Sequence, residues 1–489
     1  MKELTTSSLA NQINGKLTGP DVTIQGIFTF LNHAKPGDVV IRHWVDEKGV
    51  EIARNRGVSC VVTQNPKGNA VKLAEELDFP MIITPKIELA NAFALKWAIN
   101  NFAPRSLRIV VTGTNGKSTT THMIQNILNQ AGYNCYTNTD SKSEFNTLID
   151  PVVSDQIARF KAKTRNPIDA MVVEVSEVQG WMDKLMKNHA YLMTDAVQPD
   201  VLVLTNISMD HIGLVNSIEE TYTEVYGALA AVKKSCENNY VVLNYDDPLL
   251  REMAGKIGTC PNIISHGSLD RDFKPDLTVK SDGIYLEEEL FLKMEDLPFK
   301  SEHFLQNTMA AIGAGLALKI DYNAIKDGVL SYSPLNRRFS ILYTEPLIID
   351  DFAHNPDGII ATIKSASKMS EGTLHILFAV RGSRGEVINR LNTEALASTL
   401  TDLDYSMVIT SSSDVVDHLN TVHTSEIEVV RDVMAEHNLK HTFKEELEDA
   451  LNYTLNTAKK EDTILLIGAQ GMDPAKDILN RIRGPEAQL

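Results

Sequence analysis

Long apolar runs, basic tracts and clustered cysteines are all missing from this 489-residue chain. Each absence closes off a class of function. No apolar stretch approaches the roughly 20 residues needed to span a bilayer, and the start, Met1 to Ser8, has no apolar core of signal-peptide length. The expectation is a cytoplasmic protein that engages no membrane. The 4 cysteines, Cys60, Cys135, Cys236 and Cys260, stand far apart, so reduced, mostly buried thiols are expected, with no CxxC metal site and no disulfide framework. Lysine and arginine total 47 against 64 acidic residues, a formal charge of -17, and nowhere form a run. A phosphate-backbone binder needs the opposite balance, so nucleic acid is not an expected partner. Internal repeats, low-complexity tracts and coiled-coil heptads are absent as well.

What is present reads as α/β. The length suits two to four domains, each with its own core. Residues 1–105 mix short β-rich and helical runs, with strands expected at 22–28 and 58–62, a turn at Pro36-Gly37-Asp38, and a helix over 90–102 closed by Pro104. Residues 106–334 carry continuous apolar runs at 107–111, 170–175, 201–205 and 240–243, the pattern of parallel strands buried on both faces. A helix over 305–317 then leads to a turn-rich linker at 331–336. Residues 335–489 repeat the alternation, with strands at 347–350, 374–378, 406–410 and 463–467. The expected architecture has three domains: a small N-terminal α/β domain, a central P-loop-type doubly wound, mostly parallel sheet, and a C-terminal Rossmann-like domain. In such sheets ligands sit at the carboxyl ends of strands, which directs attention to the polar residues just after each run.

The most telling stretch is Arg108-Ile-Val-Val-Thr-Gly113-Thr114-Asn115-Gly116-Lys117-Ser118-Thr119, an apolar strand leading into a glycine turn, a lysine, a hydroxyl and a helix. Glycines let backbone N–H groups crowd against phosphate oxygens, the helix turns its positive end toward them, Lys117 reaches the β- and γ-phosphates, and the Ser118 hydroxyl suits magnesium. A standard P-loop has its first glycine where Val111 stands; here it comes at Gly113, a shortened loop that belongs to a narrower set of enzymes. Glu174 follows the second central strand, and Thr205-Asn206 through Asp210-His211 follows the third. A carboxylate and an imidazole at strand ends beside a triphosphate loop suit a divalent cation shared with Ser118. His211 alone is more often structural, but in order with Lys117 and Glu174 a nucleotide-linked role is expected for all three.

In that order the chain resembles the Mur ligases, a family that also includes folylpolyglutamate synthetase and part of cyanophycin synthetase. The shortened loop resembles the family's ATP loop, Glu174 its metal-binding glutamate, and Thr205-Asn206 with Asp210-His211 its Thr-Asn and Asp-His pairs. Asn307 is similar to the family asparagine before the linker, with His303 nearby, and Arg338-Phe339 resembles the Gly-Arg-Phe that opens the third domain, Arg337 replacing the glycine. Asp351-Phe-Ala-His354-Asn355-Pro356 is similar to Asp-Tyr-Ala-His-Asn-Pro, Arg381-Gly-Ser-Arg384-Gly to the Gly-Gly-Asp-Arg loop, and Asn146-Thr147 to the substrate-binding Asn-Thr.

The resemblance implies ATP and Mg2+. It gives Gly113 through Thr119, Asn307, Arg338, Asp351 and Asn355 to the nucleotide, and Ser118, Glu174 and His211 to the metal. It makes Lys117, Glu174 and His211 catalytic and assigns Asn146, Thr147 and Arg384 to the substrates. The reaction it implies is amide formation through an acyl phosphate, with the third domain closing over the second to exclude water. Plainer readings stand beside it: Arg384 as a solvated loop arginine, Asn146-Thr147 and Asp246-Asp247-Pro248 as turns, and Trp44, Trp97 and Trp181 as packing.

Both substrate ends depart from the pattern. The N-terminal block resembles the UDP-binding first domain of the MurE and MurF types, which a folylpolyglutamate synthetase lacks, yet Phe30-Leu31-Asn32 stands where MurE-type enzymes carry Asp-Ser-Arg. Their carbamylated lysine would fall near Tyr226, whereas the nearest lysines are Lys233 and Lys234. Thr410 to Asp414 replaces the diaminopimelate-reading Asp-Asn-Pro-Arg, and Gly468 to Asp473 only loosely follows the neighbouring Gly-Lys-Gly-His-Glu. The expectation is a monomeric cell-wall peptide ligase acting on a nucleotide-linked peptide precursor and an amino acid, with the archaeal pseudomurein peptide ligases as its home. A Mur-type synthetase of another pathway, cyanophycin-like or acting on a cofactor precursor, and a non-catalytic ATP-binding scaffold are the alternatives.

Overall fold

The computed structural model describes residues 3–139, 151–181, 184–210, 214–234, 238–268, 273–401 and 403–483. Asn146, Thr147 and His211 lie outside them. By contacts the chain divides into two compact units, one of Met1–Ile207, Gly213–Phe299 and Leu305–Tyr332, the other of Ser208–Ile212, Lys300–Phe304 and Ser333–Leu489.

The first unit holds two large sheets. The smaller runs in the order Lys16–Thr18, Met81–Ile83, Cys60–Pro66, Val39–Val45, Phe28–Thr29, parallel except at its first strand. The larger has nine strands. Cys135–Thr137, Ala170–Glu174, Leu107–Thr112, Val201–Leu204, Tyr240–Asn244, Asn262–Gly267 and Leu277–Lys280 are parallel neighbours, and Gly283–Leu286 and Glu289–Lys293 close that edge antiparallel. After Leu107–Thr112 the chain builds two strands on one side, then crosses to the other for Val201–Leu204. The topological switch point is therefore the end of Leu107–Thr112, where an open α/β sheet leaves a crevice for a ligand.

One helix joins the two sheets' cores. Ile87–Phe102 buries a broad face, from Ile87, Ala90 and Ala94 to Leu95, Ala98 and Ile99. Its Ile87, Ala90 and Ala94 pack under the smaller sheet, while Leu95, Ala98 and Ile99 enter the core of the larger. Trp97 lies between them, edge-on to Phe28 at 5.2 Å and to Phe102 at 5.7 Å, so this tryptophan is packing, as read.

The second unit is a six-stranded sheet in the order Ser340–Thr344, Leu347–Asp351, Thr463–Ile467, Leu374–Ala379, Tyr405–Thr410, Thr442–Lys444, parallel but for the first strand. Strand residues alternate between two cores: Ile349, Leu465 and Ile467 face the helices Pro356–Met369, Glu386–Leu400 and Thr424–Glu436, while Ile348, Ile464 and Leu466 face Leu447–Thr457 and Ala475–Arg483. Burial on both faces is why these runs are continuously apolar.

Two expectations fail. The strand expected at 22–28 shrinks to Phe28–Thr29, because the preceding backbone pairs elsewhere: Ile24 N–H donates to the Leu4 carbonyl and Gly26 N–H to the Gly37 carbonyl, each at 2.8 Å. Cys60 and Cys135 are free and buried, but Cys260 is disulfide-bonded. Separation along the chain did not exclude a bridge, since a βα crossover returns distant residues to neighbouring positions.

Candidate active site

The loop at the switch point is built by steric need. Gly113 and Gly116 have φ of +118° and +81°, backbone that glycine adopts without penalty. A side chain on Gly113 would collide with the Thr205 hydroxyl, and one on Gly116 with the Asn307 amide. Gly116→Ala is thus expected to cost roughly 1–2 kcal/mol for the left-handed backbone alone and to displace Asn307, so nucleotide affinity should fall with thermal stability. Titration with a fluorescent ATP analogue alongside thermal unfolding checks both.

Neighbouring strand ends staple the loop in place. Thr114 N–H donates to the Asn206 carbonyl at 2.9 Å. Asn115 N–H reaches Asn206 Oδ1, and Asn206 Nδ2 returns a bond to the Asn115 carbonyl, both at 2.9 Å. Gly116 caps the helix Lys117–Gln130, whose first turn buries Ser118 and Thr119. From the helix Glu302–Ala317, Asn307 accepts a bond from Thr120 Oγ1 at 3.4 Å.

Glu174 ends its strand 1% exposed, between two hydroxyls. Ser118 Oγ donates to its Oε1 at 3.2 Å and Thr139 Oγ1 to its Oε2 at 2.7 Å. Asn138 pairs with the Glu174 backbone, accepting from its N–H at 2.8 Å and donating to its carbonyl at 3.0 Å. A hydroxyl and a carboxylate that converge are hard oxygen donors, which suit Mg2+. His211, the third expected ligand, lies outside the described residues, among which no group of three or more His, Cys, Asp or Glu is placed to hold a metal.

Lys117 Nζ lies 2.8 Å from the Thr114 carbonyl and 2.8 Å from Glu177 Oε2. Glu177 is fully buried and had no part in the expected site. Neither it nor Thr139 lies on an apolar run, yet Thr139 is the second residue past the carboxyl end of Cys135–Thr137, where strand-end logic would have found it. Asp246-Asp247-Pro248 is the turn it was read as. Asp247 caps Pro248–Gly255 through Leu249 N–H at 2.8 Å and accepts the Ile207 N–H at 2.6 Å.

The other expected residues belong to the second unit. Asp351 Oδ1 accepts the Ala353 N–H at 2.8 Å and the Thr362 hydroxyl at 3.0 Å. Asn355 caps Pro356–Met369 by accepting the Gly358 N–H at 2.9 Å, and its Nδ2 donates to Asp210 Oδ2 at 3.1 Å. Asp210 also stands 3.6 Å from His354 Nε2 and 3.9 Å from Arg381 Nη1. Arg338 lies over the Phe352 ring, 4.9 Å from its centroid. His303 packs edge-on against Phe339, and burial pushes its imidazole below the ordinary range.

Arg384 is exposed, donating to the Ser383 carbonyl at 3.2 Å and to that of Leu419 at 3.4 Å. Its loop is shaped by buried Glu426, which accepts the N–H groups of Ser383, Arg384, Gly385 and His423 at 2.7–3.2 Å.

Comparison with known proteins gives this geometry its family. Residues 111–315 match the Mur ligase middle domain and residues 337–470 the Mur ligase glutamate ligase domain, so the chain belongs to the Mur ligase family. It is a ligase, as expected. Over 466 residues it is 23% identical to the UDP-N-acetylmuramoyl-L-alanyl-D-glutamate--2,6-diaminopimelate ligase of Caldanaerobacter subterraneus subsp. tengcongensis, covering 92% of this chain and 90% of that protein. Among solved structures it shares its fold with the MurF ligase of Thermotoga maritima in complex with ADP, at a TM-score of 0.65, 17% identity and coverage of 94% and 96%. A pseudomurein peptide ligase type C from Methanothermus fervidus matches at a TM-score of 0.59, 19% identity and coverage of 91% and 95%.

Proposed function

We propose that this protein joins an amino acid, through its amine, to the carboxylate of a nucleotide-linked cell-wall peptide precursor of murein or pseudomurein type, at the expense of ATP. The observation that carries this reading is the glycine loop at the switch point, with Lys117 at its helix start and Ser118 set against Glu174 at 3.2 Å. The names of its relatives, a UDP-linked peptide ligase and a pseudomurein ligase, support the substrate class, and the ADP complex of a relative supports the nucleotide.

In the proposed chemistry the acceptor carboxylate attacks the γ-phosphorus, ADP departs, and the acyl phosphate formed is opened at its acyl carbon by the amine, which loses a proton as phosphate leaves. Both steps place negative charge on oxygen, so fixed N–H donors and a cation are what the protein must supply. The loop from Gly113 to Thr119 and Lys117 meet that need at the β- and γ-phosphates. Mg2+, when bound by Ser118, Glu174 and His211, would neutralise phosphate charge. Asn307, Arg338, Asp351 and Asn355 are assigned to the nucleotide, with Asp351 suited to the ribose or a metal-bound water. Arg384 is assigned to the amino acid or a phosphate, Asn146 and Thr147 to the acceptor, and residues 1–105 to the acceptor's nucleotide end. The proposed reaction uses small molecules in the cytoplasm and needs no nucleic acid and no membrane surface.

Phosphate release decides among the readings. UDP-linked peptide acceptors are screened against the common amino acids, with product detected by mass. Release that requires both acceptor and amine is the expected result. Binding of ATP without release would make the protein a scaffold, and ADP formation with a stable phosphorylated acceptor would make it a kinase.

A further inference from the structure

Two carboxylates three residues apart serve different partners at the glycine loop. Both oxygens of Glu174 are engaged by hydroxyls, Ser118 on one and Thr139 on the other. Glu177 is the middle residue of the turn in which Ser176 Oγ donates to the Val178 carbonyl at 2.6 Å, and it reaches Lys117 instead. We infer that Glu177 is the positioning residue of Lys117, holding its ammonium over the loop before a triphosphate arrives. This rests on the nucleotide role proposed for that lysine.

The geometry is that of a clamp. Lys117 Nζ sits 2.8 Å from Glu177 Oε2 and 2.8 Å from the Thr114 carbonyl, and Thr114 is itself fixed by its N–H bond to Asn206. The lysine side chain is 14% exposed and that of Glu177 0%, so the pair is shielded from water and from screening salt. A lysine carries about 2 kcal/mol of rotamer entropy, which a phosphate contact would otherwise have to overcome at the moment of binding. Two acceptors at charge-assisted distance restrict it beforehand, so less of that cost falls on nucleotide binding. Glu177 also takes away part of the attraction between Lys117 and a polyanion. Orientation outweighs that loss here, because Glu177 is the charged group that fixes the end of a flexible four-carbon stem at the Thr114 carbonyl.

The test is a double-mutant cycle on MgATP affinity in the full chain, read with a fluorescent ATP analogue. Glu177→Gln keeps an oxygen of similar reach and removes the charge. It is expected to weaken MgATP by about tenfold and to lower kcat when Lys117 is present, and to change affinity by less than about twofold in the Lys117→Ala background. A residue that merely supported the fold would weaken binding equally in both backgrounds, and that additive result overturns the inference. So does unchanged affinity, or tighter binding, which would make Glu177 a competitor of the phosphate. Should Glu177→Gln not fold, Glu177→Asp retains the charge at shorter reach; the same loss is expected, and wild-type affinity overturns the inference. Wild-type protein that binds no MgATP overturns the nucleotide-site reading itself, and this inference with it.

Discussion

Lys117→Ala is expected to lose about 10³-fold or more in turnover, measured as acceptor- and amine-dependent phosphate release. A fixed donor aimed at charge that develops in the transition state is worth about 10²–10³ when neutral, and an ammonium at the transferring phosphoryl group is worth at least that. The structure adds a second consequence, in stability. Glu177 is fully buried, and its contact with Lys117 spans 2.8 Å. Removing one partner of such a pair leaves a buried carboxylate without its counter-charge, a loss of up to about 3–5 kcal/mol. The single variant therefore confounds catalysis with folding. Lys117→Ala combined with Glu177→Gln separates them: most of the lost stability should return while turnover stays down. A double variant with near-normal phosphate release would sink the ligase mechanism proposed for this loop. One that stays as unstable as Lys117→Ala would show that the lysine stem, rather than its charge, supports the fold.

Strands buried on both faces were the most legible feature of the chain, because a continuous apolar run needs no knowledge of its neighbours. Leu107–Thr112, Ala170–Glu174, Tyr240–Asn244, Leu374–Ala379 and Thr463–Ile467 fall within a residue or so of their expected bounds. Edge strands were not legible. Gly283–Leu286 and Glu289–Lys293 are short, the second with charged ends, and only the Ser281-Asp282-Gly283 turn marks them. Cys135–Thr137 and Ser340–Thr344, also at sheet edges, are likewise too short to form a long apolar run.

At the site, residues whose chemistry is local could be read: the glycine turn, the lysine and hydroxyl after it, and the carboxylate that ends a strand. Residues that act by reaching across could not. Asn307 reaches Gly116 from a helix nearly two hundred positions away, as the 187-residue separation of its bond with Thr120 shows. Asn307 was found by family likeness alone. Glu177 had neither aid, since nothing in the spacing Glu174-Val-Ser-Glu177 reveals that the second carboxylate meets a lysine 60 positions earlier.

Arg337→Gly is expected to destabilise the second unit by about 2–4 kcal/mol, although it installs the residue that the family motif carries. Arg337 has φ +59°, the left-handed region in which a side chain costs roughly 1–2 kcal/mol and glycine nothing. Glycine would therefore be favoured if backbone were all that mattered. The guanidinium, however, is buried and donates to Asp350 at 3.3 Å, to the Ala469 carbonyl at 2.8 Å, and to the Gly468 carbonyl and Asp473. It ties the start of the second unit's main segment to the loop after Thr463–Ile467. Its loss strands the Asp350 carboxylate, 1% exposed, among apolar strands, a penalty of about 3–5 kcal/mol against the backbone gain. The pH dependence gives the cause away. Burial pushes the Asp350 carboxyl up from 3.8 to about 6, while Arg337 pulls it down. A carboxyl raised in the folded state favours folding most below about pH 4, and that contribution is lost as pH rises through about 6. Without Arg337 the opposing pull is gone, so the deficit of Arg337→Gly should be smaller near about pH 5, where the carboxyl takes up a proton, than near about pH 7.5. Denaturant unfolding at both pH values measures it. A variant as stable as wild type near about pH 7.5 would mean that relief of the left-handed backbone outweighs the ion pair, and an equal deficit at both would place the loss in packing against the Phe352 ring, whose centroid lies 5.0 Å from the guanidinium, rather than in charge.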